Sequence, residues 1–533
     1  MRRIERLVQI ALSGTRQAQL SGELAAAPFN GLPDMLPASM PLERKLLLLA
    51  GAEAIYSLAG TQTLPLGVNI APAPSEELAP CSPSAARIIQ NILQRPGTEL
   101  LLQALGLLVN HGRRLPSPFL PAVLARLSTS SAMVPSLGQA LGKRGRWLSS
   151  LHPSWRKLVS GLWSVTEMSD EEKNWHWREG SRDGRERLLR QLRIYQPSLA
   201  RQWAAQAWPE EGIEQRLALL EVFALGLEQA DEPFLEQLRY GRSQRERRLA
   251  SELLVRLPAS NCRRELLALA GNLLQVEQRP EGCSICIHPP EVFPPEWKRF
   301  GLSEEQPRTQ WLSDLISLVP PNHWEERLQL SPSTIVSLLE SDWRETVLAG
   351  LRQATLLHGA SSWARALLSW ADPQTHEPLT GAADLLVCLP KQEAEQFLIE
   401  VLISSEHPWH QSWGVLLSKL PQPWGASFGN YFLAYLQERL PRLLESCTVH
   451  PTGRNESLMQ EILQWRETLK IATCALPTEC LDLALQVTES ISFPEGSPGL
   501  AAYYTQYTIK SHFESFVAEI TLLHDLEKEL ASQ

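Results

Sequence analysis

Between Gly184 and Ser260 the sequence repeats one grammar: an amphipathic helical stretch, a turn of capping residues, a second helical stretch and a proline. From Gln215 to Leu227 the apolar residues Leu217, Leu220, Ala224 and Leu227 fall three and four apart, on one stripe of an α-helix. Glu214, Arg216 and Glu221 take the wet side. The turn Gln229-Ala230-Asp231-Glu232-Pro233 stops that helix and starts another. Asp231 is its expected N-cap, and Pro233 sits in the first turn, where a missing N–H costs nothing. Gly241 ends this short helix as a C′ residue, and Ser243 caps the next. The stripe of that next helix is Leu249, Ala250, Leu253, Leu254 and Leu257, closed by Pro258. Gly184 to Trp208 has the same order, with Leu188, Leu189, Leu192 and Tyr195 before Pro197 and Leu199, Trp203 and Trp208 after it. A lone helix pair is too thin to bury its own stripe, so such units stack, as in HEAT-like solenoids with repeats of roughly 40 residues. The spacing predicts an all-α chain, a HEAT-like α-solenoid of stacked helix pairs.

Composition agrees with a folded helical array. Of 533 residues, 44% are hydrophobic and 20% charged, which excludes wholesale disorder. A net charge of -9 gives no global attraction to nucleic acid or an anionic membrane. Eight cysteines, unevenly spaced and without a signal peptide, fit free thiols in a reducing cytoplasm. Residues 1–64 read as an N-terminal helical region. Within it Met1 to Leu20 is an amphipathic first helix, because Gln9 interrupts its apolar run. Leu46 to Leu58 is a buried helix, shorter than the ~20 residues a bilayer crossing needs. Residues 65–84 are a Pro-rich loop, 85–274 helical repeats, 275–308 a strand-like interruption and linker, and 309–533 a C-terminal helical region. The interruption is marked near 275–293 by Cys283, Ile285 and Ile287 alternating with Ser284, Cys286 and His288.

No motif makes a catalytic set. Cys283-x-x-Cys286 with His288 and Cys262 has the ligand types for zinc, but lacks a second close pair, and alternation would point the two thiols to opposite faces. Gly425-Ala426-Ser427-Phe428-Gly429 has the letters of a nucleophile elbow, yet Pro421 and Pro423 precede it and a helix follows. His407 and His410 share a helix face without a carboxylate pair to complete a metal site. Gly142-Lys143-Arg144-Gly145-Arg146-Trp147 lacks the spacing of a phosphate-binding loop and reads as a helix-connecting turn. Trp147, Trp155 and Trp163 recur eight apart, as expected of an interlayer core rather than a base-stacking platform. The expectation is therefore no metal, no cofactor and no catalytic residue.

Arginine is the stronger signal. Arg185, Arg187, Arg190 and Arg193 line one helix, and Arg242, Arg245, Arg247 and Arg248 crowd the turn and first half of another. Glu186, Glu246 and Glu252 can balance them as a solvated face. Otherwise a ridge of Arg187, Arg193, Arg242, Arg247 and Arg248 can meet an acidic protein surface or a phosphate backbone.

Several of these residues carry a family resemblance. Ala11-Leu12-Ser13-Gly14-Thr15, then Gly142, Arg144, Gly145, Trp147, Leu148, Pro153 and Trp155, resemble motifs of an uncharacterised bacterial family of HEAT-like helical proteins. The densest match is Glu179-Gly180, Arg187, Leu192-Arg193, Pro197, Trp208, Arg216, Asp231 to Glu236, Arg242-Ser243, Arg247-Arg248, Leu253-Leu254 and Leu257-Pro258. His323-Trp324 and Asp342-Trp343 extend it into the second half. Genes of that family commonly lie beside a SWIM zinc-finger protein, a MoxR-type AAA ATPase and a von Willebrand factor A protein, so the resemblance implies those proteins as partners. No activity or functional residue is known for the family, and none carries over. Two functions are consistent with the sequence: a non-enzymatic protein-interaction scaffold, and a nucleic-acid-binding helical solenoid with or without base-directed enzymatic activity.

Overall fold

The computed structural model describes residues 36–37, 39–59, 71–129, 137–280, 282–340, 342–404, 406–449, 456–491 and 500–532. The expected first helix, Met1 to Leu20, and residues 65–70 of the Pro-rich loop lie outside them; residues 71–82 of that loop form no helix, and its last two residues, Pro83 and Ser84, already belong to a helix. The chain forms two compact units, Met1–Pro72 and Ala73–Gln533. The first contains helix α1, Leu42–Ala59. Its Leu46 and Leu49 are buried while Leu47 is 74% exposed, so its early turns are amphipathic rather than apolar all round.

The second unit is built of helices whose starts are written locally. Among the described residues six begin at a serine whose side chain accepts a first-turn N–H: Ser82 for α2 (Pro83–Leu93), Ser169 for α7, Ser181 for α8, Ser243 for α12, Ser260 for α13 and Ser331 for α16. Each such cap is worth ~1 kcal/mol over alanine and fixes where the chain turns. In order after α2 come α3 (Glu99–Asn110), α4 (Leu120–Leu127), α5 (Gly138–Leu151) and α6 (Pro153–Leu162). The organising stretch holds α7 (Asp170–Glu179), α8 (Arg182–Tyr195), α9 (Pro197–Ala207), α10 (Ile213–Val222), α11 (Glu232–Arg239), α12 (Gln244–Leu254) and α13 (Asn261–Ala270). After a hairpin follow α14 (Arg308–Ile316), α15 (Asn322–Leu328), α16 (Pro332–Leu338), α17 (Arg344–His358) and α18 (Ser361–Leu368). The chain ends with α19 (Lys391–Ile403), α20 (Trp413–Lys419), α21 (Ala426–Val449), α22 (Glu456–Ala475), α23 (Leu481–Ser490) and α24 (Leu500–Ala531).

The fold is an all-α helical repeat fold with one two-stranded sheet among the described residues. The predicted interruption is an antiparallel hairpin, β1 (Leu274–Arg279) with β2 (Gly282–Ile287), in register Val276 to Ile285 and Arg279 to Gly282. It lies inside the second unit. Ile285, Cys286 and Ile287 are all buried, so this end of β2 is covered on both faces. Glu340 N–H donates to the Ile285 carbonyl at 3.2 Å, which ties the hairpin to the end of α16. The expected helix-connecting turn falls within α5: Gly142 (φ 69°, ψ -175°) is non-helical and joins two helical segments across a kink, and Gly145 just after it is buried with Trp163 close by. One local expectation changes. Asp231 does stand at the start of α11, but its carboxylate makes no cap there. It is spent on a neighbouring repeat.

Helices near in sequence pack as expected of a stack, α5 on α6, α8 on α9 and α10, α11 on α12, while α14 packs on α17 with two short helices between them in the chain. In an open stack each repeat meets only its neighbours. Here α2 and α3 also pack against α24, and α3 against α22. The Ser82 hydroxyl donates to Glu529 at 3.4 Å, and the Gln103 amide donates to the Cys474 carbonyl. The first helices of this unit thus share a core with the last: Ile89, Leu105, Phe516, Ile520 and Leu526 belong to one buried cluster. Among the described residues no helix is long and apolar enough to cross a membrane.

Candidate interaction groove

The arginines of the organising stretch divide by what they touch. Arg193, in the last turn of α8, is fully buried. It holds Asp231 through two bonds of 2.9 and 2.6 Å, donates to the carbonyls of Leu225 and Gly226, and lies over the Phe223 ring. Arg247 donates to the carbonyls of Gly241, Arg242 and Lys298. Arg248 bonds Glu252 at 2.7 Å, the Asp314 carbonyl at 2.9 Å and the Ser317 hydroxyl at 2.5 Å. These three do not form one open ridge: Arg193 is wholly enclosed, and the half-buried Arg247 and Arg248 give several of their N–H groups to joining α12 to adjacent segments. Arg187 is half-buried, with its Nε shielded and bonded to nothing among the described residues, and Arg242 is exposed.

The same division recurs along the chain. Arg146 pairs with Glu172, Arg185 with Glu211 and Arg239 with Glu265, each 26 residues apart, and Arg201 with Glu228 at 27. Each pair joins one helix to the segment about two helices further along the chain, so the arginines act as clamps between packed helices. Sequence reasoning missed these pairs because a helix-local search reaches only three or four residues.

Among the hollows that the stack leaves open, three run in a line across α10, α12, α14, α17 and the start of α18. The first, about 430 Å³, lies between Leu217 and Glu221 on one side and Gln244 and Arg245 on the other. It shares Arg248 and Asp314 with a second, about 600 Å³, bounded by Gln310, Ser317 and Arg352. That one shares Leu356 and Leu357 with a third, about 690 Å³, walled by Arg256, Arg263, Asn322, His358 and Ser361. Gly301 (φ 77°) is required beside the first hollow: a Cβ there would stand 2.5 Å from the Arg248 backbone nitrogen, so only glycine lets this segment lie against α12.

Charge is unevenly settled along this line. In the first hollow Arg245 pairs with Glu214 at 2.6 Å, an exposed contact of little energetic weight. In the second Arg248 is saturated, and Arg352 reaches only the Gly381 carbonyl at 3.4 Å. In the third, His358 Nε2 donates to the Leu318 carbonyl at 3.0 Å. Burial, aided by the charges of Arg263 and Arg256 and only partly offset by that bond, pushes the ring down to about 4. A neutral buried histidine has a definite signature. Because its folded value lies below the ordinary 6.5, the unfolded chain binds the proton more readily between these two values, so stability is complete above pH 6.5 and falls as pH drops toward 4. This one group contributes a slope of at most about 1.4 kcal/mol per pH unit in that window. His358→Gln, which keeps a donor for Leu318, should flatten the pH dependence of urea midpoints there. An unchanged slope would mean His358 titrates normally.

The other sequence candidates fall elsewhere. Cys283 is exposed and Cys286 buried, and the Cys286 thiol donates to Glu340 at 3.0 Å. Cys262 is packed in the core, where burial pushes its thiol up to about 12. Ser427 is exposed in the first turn of α21, while Gly425 N–H donates to Glu395 at 2.7 Å. His407 packs edge-on against Phe397. Trp163 is core and Trp155 packs against it, whereas Trp175 is 37% exposed beneath the Arg156 guanidinium. Among the described residues no three His, Cys, Asp or Glu side chains gather as a metal site.

Compared with known proteins, residues 6–530 match the profile of a family described as a family of unknown function, DUF5691. No curated protein and no solved structure matches the chain.

Proposed function

Because the chain belongs to the DUF5691 family, for which no function is known, its role has to be read from its own surface, and we propose that it is a non-enzymatic scaffold that binds partner proteins. The observation that supports this is the line of hollows crossing successive repeat pairs from α10 to α18, an extended surface of the kind by which helical repeats hold other proteins. Its walls offer Arg245 and Arg352, whose only contacts are an exposed ion pair and a long carbonyl bond, so both can turn to an acidic partner at small cost. Outside the groove Arg242 and Arg187 are the members of the arginine ridge still able to pair with one, and Arg193, Arg247 and Arg248 support the surface from beneath. From the family resemblance, the partners are a MoxR-type AAA ATPase, a von Willebrand factor A protein and a SWIM zinc-finger protein.

The test is co-purification of those three proteins with the chain and with Arg245→Glu/Arg352→Glu. The reversed charges should abolish capture of at least one of them while the melting temperature stays within about 2 °C, since exposed pairs contribute roughly 0–1 kcal/mol. Full capture by the variant removes the groove as the docking surface. Binding of single-stranded nucleic acid that weakens steeply with salt would instead favour a phosphate-backbone partner.

A further inference from the structure

Two arginines of the third hollow are satisfied without a carboxylate. The clamps Arg146, Arg185, Arg193, Arg201 and Arg239 each hold one, whereas Arg247 and Arg308 donate to backbone carbonyls. Arg256, just past the end of α12, and Arg263, in the first turn of α13, hold none. Arg256 reaches the Ala224 carbonyl at 3.4 Å and Arg263 the Val255 carbonyl at 3.2 Å. Burial pulls Arg256 below the usual arginine range with no anion to offset it. Two partly desolvated cations lining one hollow, with no carboxylate in that lining, are costly unless something supplies the negative charge. His358 does not supply it, being neutral.

The opposite wall is the start of α18, and it too lacks its usual partner. Its N-cap is Ala360, the kind of residue least suited to that position, and no side chain accepts the first-turn N–H groups. Ser361 and Ser362 follow, both exposed and both lining the hollow. α13, which carries Arg263, and α12, which ends just before Arg256, are by contrast capped by serine side chains. At α18 the positive end of the helix dipole and its orphan donors are left facing the same space as two arginines without carboxylates.

We propose that this hollow binds a phosphate group, held between the Arg256 and Arg263 guanidinium groups, with the Ser361 and Ser362 hydroxyls and the first N–H groups of α18 donating to its remaining oxygens. A tetrahedral dianion matches this donor set, since each guanidinium offers a fork to two oxygens and the helix start favours negative charge. The hollow, at about 690 Å³, exceeds the needs of a bare ion, so the phosphate can arrive as a free ion or on a small phosphomonoester whose body rests on Pro320, Leu356 and Leu357.

Isothermal titration of the full chain with inorganic phosphate, ribose 5-phosphate and AMP tests this. At least one should bind saturably at one per chain, tighter binding of an ester identifying the ester as the source and equal binding the free ion. Arg256→Met and Arg263→Met should each weaken binding at least tenfold. Arg264→Met, on the same helix but bonded to Asn261 and outside the hollow, should leave it unchanged. Ala360→Asp guards against simple misfolding: an aspartate N-cap keeps or raises the melting temperature, yet it fills the α18 start with a carboxylate and should expel phosphate. Absence of saturable binding by all three probes, full affinity in Ala360→Asp, or equal weakening by Arg264→Met overturns the proposal.

Discussion

Arg193→Met is expected to lower stability by about 3–5 kcal/mol, one of the largest costs of any single substitution in this chain. Both Arg193 and Asp231 are completely shielded from solvent, and the pair is bidentate. Removing the guanidinium strands a carboxylate in the core and also frees the carbonyls of Leu225 and Gly226. The methionine fills most of the volume, so the loss reads the charge rather than a cavity. Asp231 has two other contacts, the Glu228 N–H at 3.0 Å and Arg201 at 3.3 Å, which soften the loss but cannot replace a partner on the buried side. Arg193→Met/Asp231→Leu should cost no more than the single change, because neither charge is then left alone. Urea midpoints of the three proteins decide this. A single-variant cost under 1 kcal/mol would mean that water reaches the pair.

Deleting α24 should deprotect α2 and α3, helices from the opposite end of the second unit. Buried on α24 are Ile509, Phe513, Phe516, Ile520, Leu523, Leu526 and Leu530. At about 1.5–3 kcal/mol for each fully buried large side chain, the stabilisation that this face supplies is on the order of 10 kcal/mol. The face packs against α22, α23, α2 and α3 together. In a stack with open ends, fraying would stop at the nearest neighbours. Hydrogen exchange should therefore rise in α2 and α3 as much as in α22 and α23. Phe516→Ala gives a milder form of the same test, with an expected loss of about 3–5 kcal/mol. Unchanged exchange in α2 and α3 would show that the two ends fold independently.

The sequence by itself determined the helices. Leu217 and Leu220 three apart, Ser243 before a polar first turn, and Pro197 and Pro233 at helix starts are all signals within one or two turns, and each lies where the spacing put it. The strand β2 was legible for the same reason, since alternation over Cys283 to Ile287 is a local period of two, whereas its pairing with β1 came from the structure. The candidate site was much less so. Arginines at 193, 247 and 248 look like a surface row when judged against neighbours on their own helix, because a long amphipathic side chain can go either way. Only the tertiary structure decided which way. Arg193 is inside because Asp231 arrives from 38 residues away, and Arg248 is saturated because α14 lays a carbonyl and a hydroxyl against it. The meeting of Ser82 with Glu529, 447 residues apart, has no local trace at all. Helix formation is a property of short spacings, whereas burial, pairing and the opening of the third hollow depend on which distant surface each helix happens to face.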